Sequence, residues 1–89
     1  MKDIIIDISL LFDPAPEKDH RPTAKLASLP RYIRTARELA GTGNRVTLTG
    51  PGPVWLYLIV AHELHGLCRE LRYDSPATGP LMIFDHNPE

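Results

Sequence analysis

A single cysteine, Cys68, stands among the 89 residues, which excludes an internal disulfide and fits a reducing compartment. Nothing around it marks the thiol as a nucleophile, so it reads as a passive, buried or half-buried group. Long apolar runs are lacking too. The stretch Val54 to Ala61 is far too short to span a bilayer. The opening Met1-Lys2-Asp3 leads into a strand-length apolar run rather than a signal core. Net charge is nearly absent, at -1, so no global field draws the chain to nucleic acid. An anion site must be built locally, from a helix terminus, a glycine turn or a few placed arginines. What remains is a soluble and cytoplasmic protein of one domain, residues 1–89, small enough to gain burial by self-association.

Two signatures of known chemistry are also missing. The glycine turn at Gly50 is not followed by the lysine and Ser/Thr of a P-loop, and His62-Glu63-Leu64-His65 is one residue short of the zinc-protease pattern. The composition is otherwise ordinary for a folded domain, 43% apolar and 24% charged.

The chain is organised around one stretch, from Leu48 to Gly66. Val46-Thr47-Leu48-Thr49 favours a strand. Gly50 and Gly52 allow torsions or close approaches that a side chain forbids. Pro53 stands where a helix's first residue would be. The helix from Val54 to Ala61 is apolar on nearly every face, so it should be buried against a sheet or a partner subunit. Polarity returns abruptly with His62, Glu63 and His65, and Gly66 is the expected stop.

Around this stretch the order is β-α-β-α-β-β. Ile4 to Leu11 reads as a strand, apolar enough to be central and covered on both faces. The segment from Asp13 to Pro22, with three prolines and five charged side chains, is a surface loop. His20 within it is a solvated loop histidine. A helix from about Pro30 to Ala40 follows, with Ser28 as cap and Gly41 as stop. It carries Arg31, Arg34 and Arg37 as a basic ridge, either a solvated face or a contact to phosphates. Arg69 to Tyr73 and Pro80 to Phe84 form a hairpin. The fold class is a small α/β, Rossmann/CARF-like sheet with a parallel core and one antiparallel edge; the alternative is a ferredoxin-like antiparallel sheet. Ligands gather at the carboxyl ends of strands in such sheets, here expected at Thr49-Gly50, Tyr73-Asp74 and Asp85-His86.

His62 and His65 share one side of a helix end, Asp74 closes one strand, and His86 follows another. These residue types suit proton transfer or metal ligation. A His-x-x-His pair also arises by chance, and a last-turn histidine gains from the helix dipole in any case. The turn Gly50-Pro51-Gly52-Pro53 either touches a ligand or merely starts a buried helix. Trp55 is core, although it and Tyr57 are able to stack on a base.

The string Gly50-Pro51-Gly52-Pro53-Val54-Trp55-Leu56, then Ala61-His62-Glu63-Leu64-His65, Tyr73-Asp74, Gly79 and His86 resembles the Csx-three family of CRISPR-associated type III ring nucleases. The match covers slightly under half of the chain; the rest agrees only in layout. The resemblance implies an α/β fold related to cyclic-oligoadenylate sensors. It further implies cleavage of cyclic tetra-adenylate to linear di-adenylates, stimulation by Mn²⁺, and a homodimer, two of which sandwich the ring as a tetramer. Its alternatives are metal-dependent trimming of single-stranded RNA 3′ ends, and a non-catalytic cyclic oligoadenylate-binding module. Carried over, His65, Asp74 and His86 match catalytic positions. Gly50, Pro51, Gly52 and Pro53 match the turn that approaches ligand, with His62 beside the site and Asp74 and His65 as candidate Mn²⁺ ligands. The chain departs from the family after Tyr73-Asp74, where Ser75-Pro76-Ala77 has no arginine and one residue is extra. Arg45, Arg69 and Arg72 are the candidate replacements.

The chemistry stands beside the name. An RNA phosphodiester carries its own nucleophile, the 2′-hydroxyl, so a protein need add only a general base, a general acid and charge stabilisation. Histidine serves both proton roles near neutrality.

Overall fold

The computed structural model describes residues 1–12 and 24–86; the proline-rich segment with His20 lies outside the described residues. Each apolar run becomes an element: β1 (Asp3–Asp7), α1 (Leu29–Ala40), β2 (Arg45–Thr49), α2 (Val54–Leu64), β3 (Glu70–Ser75) and β4 (Gly79–Asp85). They build a small α/β domain with one four-stranded mixed sheet, in the order β1-β2-β3-β4. β1 and β2 are parallel, as are β2 and β3, while β3 and β4 form an antiparallel hairpin. The parallel core and antiparallel edge are those expected for a Rossmann-like sheet.

Alternate strand residues Ile6, Val46, Leu48 and Leu71 pack against Tyr32, Ala36 and Ala40 of α1 and Leu56, Val60 and Leu64 of α2 in one core. Both helices therefore cover the same sheet face. Strands placed in sequence order by crossovers of one hand can have no other outcome. This corrects the reading of the first strand as central. β1 is an edge, and Ile5, on the face without helices, is 73% exposed.

That strand is also shorter than expected. Asp7 accepts hydrogen bonds from the Ser9 amide at 2.9 Å and the Ser9 hydroxyl at 2.6 Å. The carboxylate thereby caps a tight helical turn over Ile8–Leu11, which ends the strand four residues early. Ser28 occupies the cap position of α1 without a side-chain capping bond, and Gly41, at φ 65°, ends that helix as expected. Gly66 does not adopt the left-handed conformation. The last turn of α2 closes instead through the Leu67 and Cys68 amides on the Leu64 carbonyl. Cys68 is buried and its thiol donates to the same carbonyl. Burial pushes that thiol's pKa up, which suits a passive group.

Candidate functional site

The sheet has two ends, and the expected site residues divide between them. At the amino end of β3, α2 delivers His65 in helical conformation, its amide bonded to the His62 carbonyl at 3.2 Å. His86 follows β4, its amide donating to the Arg69 carbonyl at 2.8 Å. The two imidazoles meet with their Nε2 atoms 3.2 Å apart. Phe84, which packs against the core, supports both. Its ring lies edge-on to His65, with centroids 5.0 Å apart, and beside His86 at 4.6 Å. Both histidines are exposed. An Nε2–Nε2 hydrogen bond needs one nitrogen to donate and the other to accept, so the pair holds a donor and an acceptor side by side. His62 is exposed one helical turn earlier.

Asp74 is not at this end. Glu70 faces Asp85 in the hairpin and Asp74 faces Pro80, so His86 and Asp74 close opposite ends of β3. Five residues at about 3.3 Å each separate them by roughly 16 Å. This corrects two expectations. Asp85-His86 does not share the carboxyl end with Thr49-Gly50 and Tyr73-Asp74, because β4 runs the other way. Nor can Asp74 and His65 of one chain ligate the same Mn²⁺ ion.

The carboxyl end holds a cleft of about 690 Å³ between α2 and the hairpin, lined by Gly50, Val54, Leu58, Tyr73, Asp74 and Ile83 among others. Pro51 and Gly52 line it as well, whereas Pro53 caps α2. The walls are almost wholly apolar, and among the described residues no lysine or arginine lines them. The hydroxyl of Tyr57 donates to the Gly50 carbonyl, and its ring meets Tyr73 edge-on at 5.1 Å. Burial, then the neighbouring Tyr73, Asp7 and Asp74, push the Tyr57 pKa up to about 12. The glycines of the turn are committed to packing. Gly50, at φ 92°, lies against the Asp7 carboxylate, and Gly52 against Ile8. Such close approach is what a missing Cβ permits.

Arg45, at the start of β2, is held by two carboxylates. Its guanidinium reaches Glu70 at 3.1 Å and Asp3 at 3.1 Å. The hydrogen bond and charge of Glu70, ahead of Asp3, raise its pKa above the ordinary arginine value. Arg72 reaches Glu70 as well, at 3.7 Å. Arg37 of the α1 ridge binds Glu63 at 3.7 Å, tying the two helices rather than facing phosphate. Of the three arginines considered as replacements, Arg69 adjoins the histidine pair, through its carbonyl's bond to His86.

The importance of Asp7, Glu70 and Phe84 was missed in the sequence. Only Asp7 left a signal there, the Asp-x-Ser spacing of a side chain that bonds its own backbone two residues on. Compared with family models, curated proteins and solved structures, the chain matches none.

Proposed function

We propose that this protein is a phosphodiester-cleaving ring nuclease acting on cyclic tetra-adenylate, with His65 and His86 as its acid–base pair. The substrate comes from the resemblance to the Csx-three family. The observation that carries the roles is the 3.2 Å approach of the two Nε2 atoms. In the singly protonated pair, one imidazole neutral and one imidazolium, the rings part around the scissile phosphate and the neutral ring takes the 2′-hydroxyl proton as the 2′-oxygen attacks phosphorus. The protonated ring gives its proton to the departing 5′-oxygen. Cleavage at two opposite linkages yields linear di-adenylates ending in 2′,3′-cyclic phosphates. Arg69, whose carbonyl holds the His86 amide, is the arginine we assign to offset charge on the phosphorane.

Asp74 joins this site from a second copy. The ring would lie between the histidine end of one protomer and the Asp74 end of another, which suits an assembly of dimers. The scissile phosphate is assigned to the histidines because they carry the proton-transfer groups, while the cleft beside Asp74 is mostly apolar among the described residues. The test is incubation with cyclic tetra-adenylate, with and without Mn²⁺, followed by chromatography and mass analysis. Di-adenylates that vanish in His65→Ala support the proposal; an intact ring under both conditions overturns it.

A further inference from the structure

We infer that His65 and His86 also form a two-imidazole site for a divalent transition metal of the zinc and nickel class. Two nitrogens bound to one tetrahedral ion at 2.0–2.1 Å stand about 3.3–3.4 Å apart. The two Nε2 atoms are already 3.2 Å apart, so an ion enters with little change in their separation. Their backbones are fixed, one at a helix end and one at the sheet ladder, by the amide bonds to His62 and Arg69. Phe84 limits both rings from one side. Both imidazoles are exposed, so an ion reaches them from solvent.

The exchange is chemically simple. In the metal-free pair one Nε2 carries a proton toward the other. In the metal-bound pair both rings take the Nδ1–H form, each giving an Nε2 lone pair to the ion, and neutral rings lose no proton overall. Neighbouring groups that ligate zinc elsewhere are committed. Cys68 is buried on the Leu64 carbonyl and Glu63 is paired with Arg37. Among the described residues these two imidazoles are the ion's protein ligands, since no third ligating group joins them, and positions stay open for water or an anion. Imidazole nitrogen favours zinc, copper and nickel, whereas Mn²⁺ prefers oxygen donors. Zinc at this site would occupy both lone pairs that proton transfer needs, so it inhibits where Mn²⁺ does not.

The inference stands on geometry and does not require the chain to cut anything. It is tested by titrating the untagged full chain with zinc and nickel chlorides at neutral pH in an isothermal calorimeter. One ion per chain is expected, with affinity roughly tenfold or more weaker in His65→Asn and in His86→Asn, and weaker by a similar factor for Mn²⁺. His62→Asn should bind as the wild type does. No binding by the wild type, or binding by both asparagine variants as tight as that of the wild type, overturns the site. Should a variant fail to fold, substoichiometric Ni²⁺ added to the wild type decides by NMR. Broadening should fall on the ring signals of His65 and His86; broadening confined to other histidines refutes the inference.

Discussion

A Cβ placed on Gly50 would lie 2.0 Å from Oδ1 of Asp7, so the turn that launches α2 is seated directly on the carboxylate that ends β1. Substitution there meets two penalties, the positive φ of 92° and the collision. Gly50→Ala should therefore cost about 2–4 kcal/mol, read by urea denaturation. Adding Asp7→Ala relieves the collision but not the backbone strain, so the double variant should lose less than the separate losses added together. Gly66 is the control, with no positive φ and no atom within 4 Å of an added Cβ. Gly66→Ala should be neutral or stabilise by up to about 1 kcal/mol. Equal losses at the two glycines would show that the turn relaxes freely.

The paired imidazoles should behave as one unit. His65→Ala and His86→Ala are each expected to slow cleavage of cyclic tetra-adenylate about 10²–10⁴-fold. The double variant should be little worse than the poorer single variant, as for groups that act together. Asp74 supplies a sharper check, because it lies at the far end of β3. Mixing inactive His65→Ala with inactive Asp74→Ala should restore part of the activity if a site draws on two copies. No recovery at concentrations where the copies associate would place every needed residue within one chain.

Much of the fold was legible because each element's signal is local. Val46 and Leu48 alternate with polar neighbours, and Gly41 and Gly50 punctuate at positive φ. What was not legible depends on how elements meet. Ile4-Ile5-Ile6 reads as a strand covered on both faces, yet both helices lie on one face and Ile5 is left out. The site divides in the same way. Tyr73-Asp74 and Asp85-His86 both end strands, and only the reversal of β4 shows that they point apart. The meeting of His65 with His86 depends on hairpin register, including the irregularity opposite Leu71 and Arg72, which no spacing in the sequence records.

Alkaline pH should expose the burial of the Tyr57 phenol. The folded protein holds this phenol protonated up to about 12, against 10.0 for the ordinary group. Between those values the unfolded chain releases the proton while the folded chain keeps it. The stabilising contribution is therefore complete below pH 10 and is lost as pH rises toward 12. Its ceiling is about 3 kcal/mol, and solvent screening at this partly exposed ring cuts it well below that. Tyr57→Phe should lose about 1 kcal/mol at neutral pH and show a flatter decline in denaturation midpoint above pH 10. Parallel curves for the two proteins would mean that other groups carry the alkaline transition.

The outer side of α2 and the neighbouring strand β4 share an exposed apolar patch. Val54 is 73% exposed, Leu58 66%, Ile83 51% and Leu81 44%, and the first three line the same cleft. Together these four side chains present on the order of 400 Å² of apolar surface, enough to mark an interaction site. A stable interface buries about 800 Å² per partner, so this patch would supply its apolar centre. A second copy is the occupant that the proposed enzyme requires, and β4 beside the patch is an edge strand of the sheet among the described residues. Leu58→Asp places a charge at the middle of that surface without touching the core. The wild type should sediment as a dimer at micromolar concentration and the variant as a monomer, with unfolding free energies of the isolated subunits within about 0.5 kcal/mol. A variant that stays dimeric would move the interface elsewhere. A wild type that is monomeric at every concentration would remove the shared site as well, since Asp74 would then have no route to the histidines.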